Sequence, residues 1–329
     1  MEVKKIAQLT GHAGAVFAIT EGGDAQHILS GAGDGWVVEW DLAAPDLGRL
    51  VAKIERNIFS LLFLKNQNKL IAGDMDGGVR FVDLSDPSLN RNILHHGGKG
   101  CFDIKVINNQ TFTIGGDGVL TRWSLTESRS LESLQLSHKS LRCFDFSKKR
   151  NEIAIGSSDG NVYFVDATTL ELRDVWTKVH DNSIFSIRYS PDALYLLTGG
   201  RDAHLKLSAL SDFADDTSRH IREEEEFEKN QISHIIESVP AHLFTVNSIV
   251  FHPKNASIFA TASRDKTIKI WQILAPETPN VRLKLLKVID TIRYGCHIRS
   301  VNRLFWSPYN DYLISASDDR SLMVWAVDI

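Results

Sequence analysis

The chain has 329 residues, 43% hydrophobic and 24% charged, with 37 basic against 41 acidic side chains and a net charge of −4. This is an ordinary globular composition, and without a basic excess it speaks against a nucleic-acid binder. The longest apolar run, IFSLLFL (58–64), is far too short for a membrane span, and the N-terminal MEVKKIAQLTGH has no apolar leader core. Cys101, Cys143 and Cys296 show no CxxC spacing, so neither a disulfide framework nor a zinc site is expected. Inert buried thiols in a reducing, cytoplasmic compartment are the simplest reading.

In chain order, a strand-like segment, EVKKIAQLT (2–10), precedes His12. An apolar stretch, VFAITEG (16–22), follows, then a second apolar segment, a turn at Asp34 and a β-rich strand ending at Trp40. The block GAGDGWVVEWDL (31–42) then returns as GDMDGGVRFVDL (73–84), IGGDGVLTRWSL (114–125), GSSDGNVYFVDA (156–167), GGRDAHLKLSAL (199–210), SRDKTIKIWQI (263–273) and SASDDRSLMVWAV (315–327). In all seven copies an Asp (34, 76, 117, 159, 202, 265, 319) stands six residues before one fixed position. That position holds Trp40, Val82, Trp123, Val165, Ser208, Trp271 and Trp325, spaced by 42, 41, 42, 43, 63 and 54 residues. About 28 residues before it lies a histidine: His12, His96, His138, His180, His242 and His297, with Ile54 in the second copy. Four short strands per unit of about 42 residues describe a propeller blade.

On these residues, and on the pair LTGH (9–12) with WD (40–41), the whole chain resembles the WD-repeat β-propeller family. The expected fold is all-β, a single seven-bladed propeller over 1–329 whose N-terminal strand completes the last blade. The resemblance also assigns the hydroxyls four residues before the Asp: Ser30, Thr113, Thr198, Thr261 and Ser315. In the family, Trp N–H donates to the hydroxyl, the hydroxyl to a His nitrogen, and the other His nitrogen to the Asp. The full sets implied are His12/Ser30/Asp34/Trp40, His242/Thr261/Asp265/Trp271 and His297/Ser315/Asp319/Trp325. Hydroxyl, imidazole and carboxylate are also the parts of a hydrolase triad. A triad is needed once, however, whereas this set recurs from copy to copy, so a structural role is expected and no catalytic residue is assigned. Copies two, four and five are degenerate, and apolar packing is expected to replace their hydrogen bonds.

The long spacings read as insertions: SDFADDTSRHIREEEEFEKNQ (211–231), an acidic loop before an outer strand at SHIIESV (233–239), and APETPN (275–280). TIRYGC (291–296) extends a loop before blade seven. The acidic run reads as a solvated loop or as a docking segment for a basic partner.

With the triad-like residues assigned to the fold, function moves to the surface. The resemblance implies a top face that binds peptides or proteins. Its rim side chains come from the pair flanking the first apolar residue of the inner strand and from the residue before the turn Asp. The second flanking position gives Phe17, Phe59, Phe102, Arg142, Phe185, Asn247 and Asn302. The first gives Ala15, Asn57, Gly100, Ser140, Ser183, Thr245 and Ser300, and the residue before Asp gives Gly33, Met75, Gly116, Ser158, Arg201, Arg264 and Asp318. Four Phe in seven equivalent places form either an exposed binding surface or a plug in the channel mouth. Phe17, Phe59, Phe102 and Met75 make an aromatic half, and Arg142, Arg201 and Arg264 a basic half, which suits a peptide with apolar anchors and an acidic or phosphorylated residue. The remaining histidines (27, 95, 204, 220, 234, 252) fall at unrelated registers, so no metal or cofactor is expected. The expected function is a non-catalytic scaffold, a monomeric ring serving protein partners within a multiprotein complex. The alternatives are an enzyme sited in the central channel, or recognition of phosphate on a phosphopeptide, nucleic acid or lipid.

Overall fold

The protein is described here by a computed structural model covering residues 1–210, 234–274 and 281–329. Its strands form seven antiparallel four-stranded sheets. The inner strands are Val16–Glu21, Ile58–Leu64, Cys101–Ile107, Leu141–Ser147, Ile184–Tyr189, Val246–Phe251 and Val301–Trp306. Each packs against the inner strand of the next blade, and blade seven packs on blade one, so the ring is closed. The acidic run at 211–231 and APETPN at 275–280 lie outside the described residues; the strand expected after the former is present as Ile235–Pro240.

Burial explains why the sequence reads as it does. The second strand of a blade is covered on both faces by neighbouring blades, so it carries small and apolar residues throughout, as in Ile258–Ser263 and Leu313–Ser317, both fully buried. The outer strand faces solvent on one side and alternates, as Ile235–Pro240 does. The apolar core divides into seven clusters, each shared by two adjacent blades. Trp40, Trp123 and Trp325 are among the largest fully buried side chains. Each belongs to the interface with the preceding blade, where a ring of this size contributes some 150–250 Å² of burial. The three cysteines are buried and free, and burial pushes the Cys143 and Cys296 thiols up to about 12.

Closure occurs as expected. Glu2–Thr10 pairs antiparallel with Ser321–Asp328, from Glu2 opposite Asp328 to Thr10 opposite Ser321, with a bulge between Lys5 and Ala7. The first chain segment is thus the outer strand of blade seven. Leu9 is fully buried in the interface between blades seven and one, and Val3 is buried between six and seven. Deleting residues 1–10 should therefore lower the thermal midpoint by about 10 °C or more, because it empties two interfaces and bares a sheet edge. Circular-dichroism melting checks this; an unchanged midpoint would mean the ring holds without its closing strand.

Candidate functional site

The three full sets form as the repeat implies. In blade one, Trp40 Nε1 donates to Ser30 Oγ at 2.8 Å, Ser30 Oγ meets His12 Nε2 at 2.7 Å, and His12 Nδ1 lies 3.0 Å from Asp34. Blade six repeats this with Trp271–Thr261 at 2.9 Å, Thr261–His242 at 2.8 Å and His242–Asp265 at 2.9 Å. Blade seven has Trp325–Ser315 at 3.0 Å, with Ser315–His297 and His297–Asp319 both at 2.8 Å. A fourth complete set, not among those named from the sequence, stands in blade three: Trp123–Thr113 at 2.9 Å, Thr113–His96 at 2.9 Å, His96–Asp117 at 3.0 Å. All four residues sat at the right registers.

Electrostatics fixes the direction of these bonds. Burial pushes the His12 and His242 imidazoles below their ordinary value, outweighing the adjoining carboxylates. A neutral ring that accepts from the hydroxyl at Nε2 must carry its proton on Nδ1 and donate it to the Asp. Burial works against the Asp319 carboxylate, but His297 and Ser321 outweigh it and bring its pKa down to about 2. The imidazoles of blades one, three, five, six and seven have no solvent-exposed side-chain surface. The hydroxyls of Ser30, Thr113, Thr198, Thr261 and Ser315 are buried as well.

The degenerate blades depart from expectation, because polar bonds persist in them. Blade five keeps His180 between Asp202 and Thr198, each at 2.9 Å, while the Ser208 hydroxyl, standing where Trp would, is buried without a partner. In blade four His138 is exposed and outside the network. Ser137 takes its place four residues before the inner strand, donating to Asp159 at 2.7 Å, and Tyr163 Oη donates to the same carboxylate at 2.9 Å. In blade two the turn is held by Asp74 rather than Asp76. The fully buried Asp74 accepts from the Asp76 and Gly78 amides and from Arg80 Nε at 2.6 Å, while the partly exposed Asp76 pairs with Arg56.

The rim residues share one geometric cause. In every inner strand the register slips after the first residue: at Val16/Ala18, Ile58/Ser60, Cys101/Asp103, Leu141/Cys143, Ile184/Ser186, Val246/Ser248 and Val301/Arg303. The skipped residues are Phe17, Phe59, Phe102, Arg142, Phe185, Asn247 and Asn302. A bulged residue is left out of the ladder and its side chain is re-aimed, here at the channel mouth. The two other rim registers are tied to each other in every blade. The amide of the residue before the turn Asp donates to the carbonyl of the first flanking residue, from Gly33 to Ala15 at 2.8 Å through Met75 to Asn57 at 3.0 Å to Asp318 to Ser300 at 3.0 Å.

The bulge side chains touch their neighbours around the ring. Phe17 meets Phe59 edge-on at 5.3 Å between centroids, and Phe59 stacks on Phe102 at 5.7 Å. The Arg142 guanidinium lies 4.3 Å from the Phe102 ring centre and 5.4 Å from that of Phe185. All are half-buried. Arg142 thus belongs to the aromatic row rather than to a separate basic half, and burial pushes its pKa below the ordinary value. Arg201 and Arg264 are exposed and make no side-chain ion pair among the described residues; Met75 is also exposed. Asn247 and Asn302 are engaged otherwise. Asn247 donates to Ser300 Oγ and the Val301 carbonyl, and Asn302 to Asp318 and the Val16 carbonyl, tying blade six to seven and seven to one.

Sequence reasoning missed four exposed apolar side chains in the loops that precede the inner strands of blades six and seven. Leu243 and Ile298 directly follow the network histidines of blades six and seven and are 83% and 65% exposed. Phe244 and Ile292 are exposed too, the latter on a single helical turn, Thr291–Tyr294, capped by Asp290. The signal was present: the equivalent positions in blades one and three are Ala13 and Gly97. Inside the channel, Arg303 of blade seven reaches Asp103 of blade three at 2.9 Å, and Lys105 lies 3.4 Å from Asp145. Both carboxylates there are neutralised by neighbouring cations. Among the described residues no three His, Cys, Asp or Glu converge as a metal site, and no helix is long and apolar enough to cross a membrane.

Comparison with known proteins places these features in a family. A model described as "WD domain, G-beta repeat" matches residues 3–41, 173–207, 233–272 and 287–326. The chain is 24% identical to Protein tipD of Dictyostelium discoideum over 96% of its own length and 48% of that protein. It is 22% identical to human eukaryotic translation initiation factor 3 subunit I, over 81% of this chain and 83% of that one. It spans about half the length of tipD and of actin-interacting protein 1 from Caenorhabditis elegans. Among solved structures, the WD40 β-propeller domain of Doa1 superposes with a TM-score of 0.77, covering 99% of this chain and 97% of that one at 17% identity.

The blade-four network separates two neighbouring residues. Ser137→Ala, which removes a donor to Asp159, should cost about 1–2 kcal/mol in urea unfolding, whereas His138→Ala should leave the curve unchanged. The reverse ranking would restore His138 to the network.

Proposed function

This chain is a member of the WD-repeat β-propeller family, and we propose that it is a non-catalytic interaction scaffold that takes protein or peptide partners on the end of the ring carrying the bulge side chains. The observation that carries this reading is the unbroken row Phe17–Phe59–Phe102–Arg142–Phe185 across five consecutive blades. Half-buried aromatic rings held against one another present apolar area at little further entropic cost, which is how binding hot spots are built. Beside them Arg201 and Arg264, exposed and without an ion pair among the described residues, suit an acidic or phosphorylated residue on the partner. Leu243, Phe244, Ile292 and Ile298 extend the apolar area over blades six and seven. Exposed large apolar side chains of this kind fit a protein partner better than water.

The channel supports an enzyme less well, since its carboxylates are already neutralised by Arg303 and Lys105. The working assembly is a multiprotein complex in the cytoplasm, with the ring as the rigid member that fixes many loop positions at once.

Replacing Phe59 and Phe102 together by Ser tests the reading. Proteins retained from native lysate by the wild-type chain should be lost from the double variant, with the thermal midpoint lowered only by a few degrees because both rings are half-exposed. An identical captured set would remove the face from the account. Capture abolished by moderate salt yet indifferent to the two rings would point to phosphate recognition instead.

A further inference from the structure

Beyond the bulge, each inner strand turns two side chains to one face, two and four residues after its first residue. Around the ring the upper of these two levels holds Asp103 and Arg303, and the lower one Lys105, Asp145 and Arg188. Every other position at the two levels is uncharged, from Ala18 and Thr20 in blade one to Ser248 and Val250 in blade six. The channel wall there carries three cations against two carboxylates. Arg303 donates to Asp103 at 2.9 Å, from blade seven to blade three. Lys105 and Arg188 share one oxygen of Asp145, at 3.4 and 3.8 Å, while its other oxygen accepts the Tyr189 amide at 3.0 Å.

The two signs of charge are not equally accessible. The Asp103 side chain is sealed at 2% exposure, with Arg303 on one oxygen and the Phe144 amide at 3.4 Å from the other. Lys105, Arg188 and Arg303 keep 23%, 19% and 24% of their side-chain surface, and Asp145 keeps 19%. What these levels leave open is therefore three cations and one carboxylate that two of them already share. The cations also hold donors in reserve. The Lys105 ammonium has three, and among the described residues it meets only Asp145 at 3.4 Å and the Phe144 ring at 5.7 Å. Arg188 places one nitrogen on the Ile187 carbonyl and Arg303 one on Asp103, and their remaining nitrogens donate to no described residue. The arrangement has a cost: burial, and after it the neighbouring Arg188 charge, holds the Lys105 pKa below the ordinary lysine value.

We propose that the channel binds a small oxyanion of the class of inorganic phosphate, held by Lys105, Arg188 and Arg303. Charges withdrawn from bulk water are normally paired, and the surplus here is one positive charge. Ammonium and guanidinium donors facing one space suit a ligand with several acceptor oxygens better than chloride, which offers a single centre. The occupant is a free ion and not a phosphate carried on a macromolecule, because the side chains from Phe17 to Phe185 touch from blade to blade over the adjoining end of the channel. The site depends on the channel charges alone, so it stands or falls separately from partner binding at the rim.

Isothermal titration of the full chain with sodium phosphate, at an ionic strength held constant with sodium chloride, tests this. One saturable site is expected, and phosphate at about a hundred times the measured Kd should raise the thermal midpoint by about 5 °C. Lys105→Met removes the ammonium at nearly equal length. It should weaken phosphate binding by about tenfold or more, the worth of one charged hydrogen bond, without lowering the midpoint measured in chloride. Should Lys105→Met fail to fold, Arg188→Met removes a second set of donors and should weaken binding likewise. No saturable binding to the wild-type chain, binding that chloride reproduces, unchanged affinity in a folded variant, or equal binding of a phosphoserine-containing peptide would each overturn the proposal.

Discussion

One oxygen atom does most of the positioning in a complete blade. The hydroxyl of Ser30, Thr113, Thr261 or Ser315 accepts the indole N–H of the third strand and donates to the imidazole that precedes the inner strand. A hydroxyl has one proton to give, so this arrangement admits one direction of bonding and one imidazole tautomer. The imidazole donates its single N–H, on Nδ1, to an Asp whose carboxylate also accepts backbone amides of the turn, as Asp34 does from Ala13 and Trp36. Three strands and two loops are thereby fixed to one another in a buried site. The bonds are individually modest, but any one left open would strand a buried polar group at a cost of about 1–3 kcal/mol.

That constraint fixes the top of each blade, and the rim depends on it. In blades one, three, five, six and seven the loop locked by the His–Asp pair leads directly into the bulge, so the bulged side chain has a fixed origin there. Where the bulge residue is Phe or Arg the side chains run into one another across blades; where it is Asn the amide crosses to the next blade's backbone. The same device therefore makes an aromatic sector over blades one to five and a hydrogen-bonded seam over six, seven and one. Substitution in the network residues loosens what lies above or beside them. Blade two, without Trp and His, has exchanged the network for a buried Asp74–Arg80 pair.

The ring, its seven copies and its closure by the first strand were legible in the sequence, because an Asp six residues before a fixed position survives even where the Trp does not. The bulge was not legible, since it is a slip of pairing rather than a residue type, yet it is the reason the rim positions share a surface. His138 was misleading because Ser137 and His138 are adjacent in sequence, and burial alone separates them. Asp74 and Asp76 posed the same problem two residues apart: a carboxylate that donates nothing and accepts from two amides and a guanidinium reads in sequence like any turn Asp. The fourth complete network was in plain sight at His96, Thr113, Asp117 and Trp123. The exposed Leu243 and Ile298 required comparing the residue after each histidine, where a large apolar side chain has no place in the core.

The central claim is that the hydroxyl–imidazole–carboxylate sets are buried fasteners of the ring and not reactive groups. Hydrogen exchange at the seven indole N–H groups tests it most directly. The account predicts that the indoles of Trp40, Trp123, Trp271 and Trp325 exchange only through global unfolding, orders of magnitude more slowly than Trp36, whose indole makes no hydrogen bond among the described residues. Exchange of those four at the rate of Trp36 would contradict it.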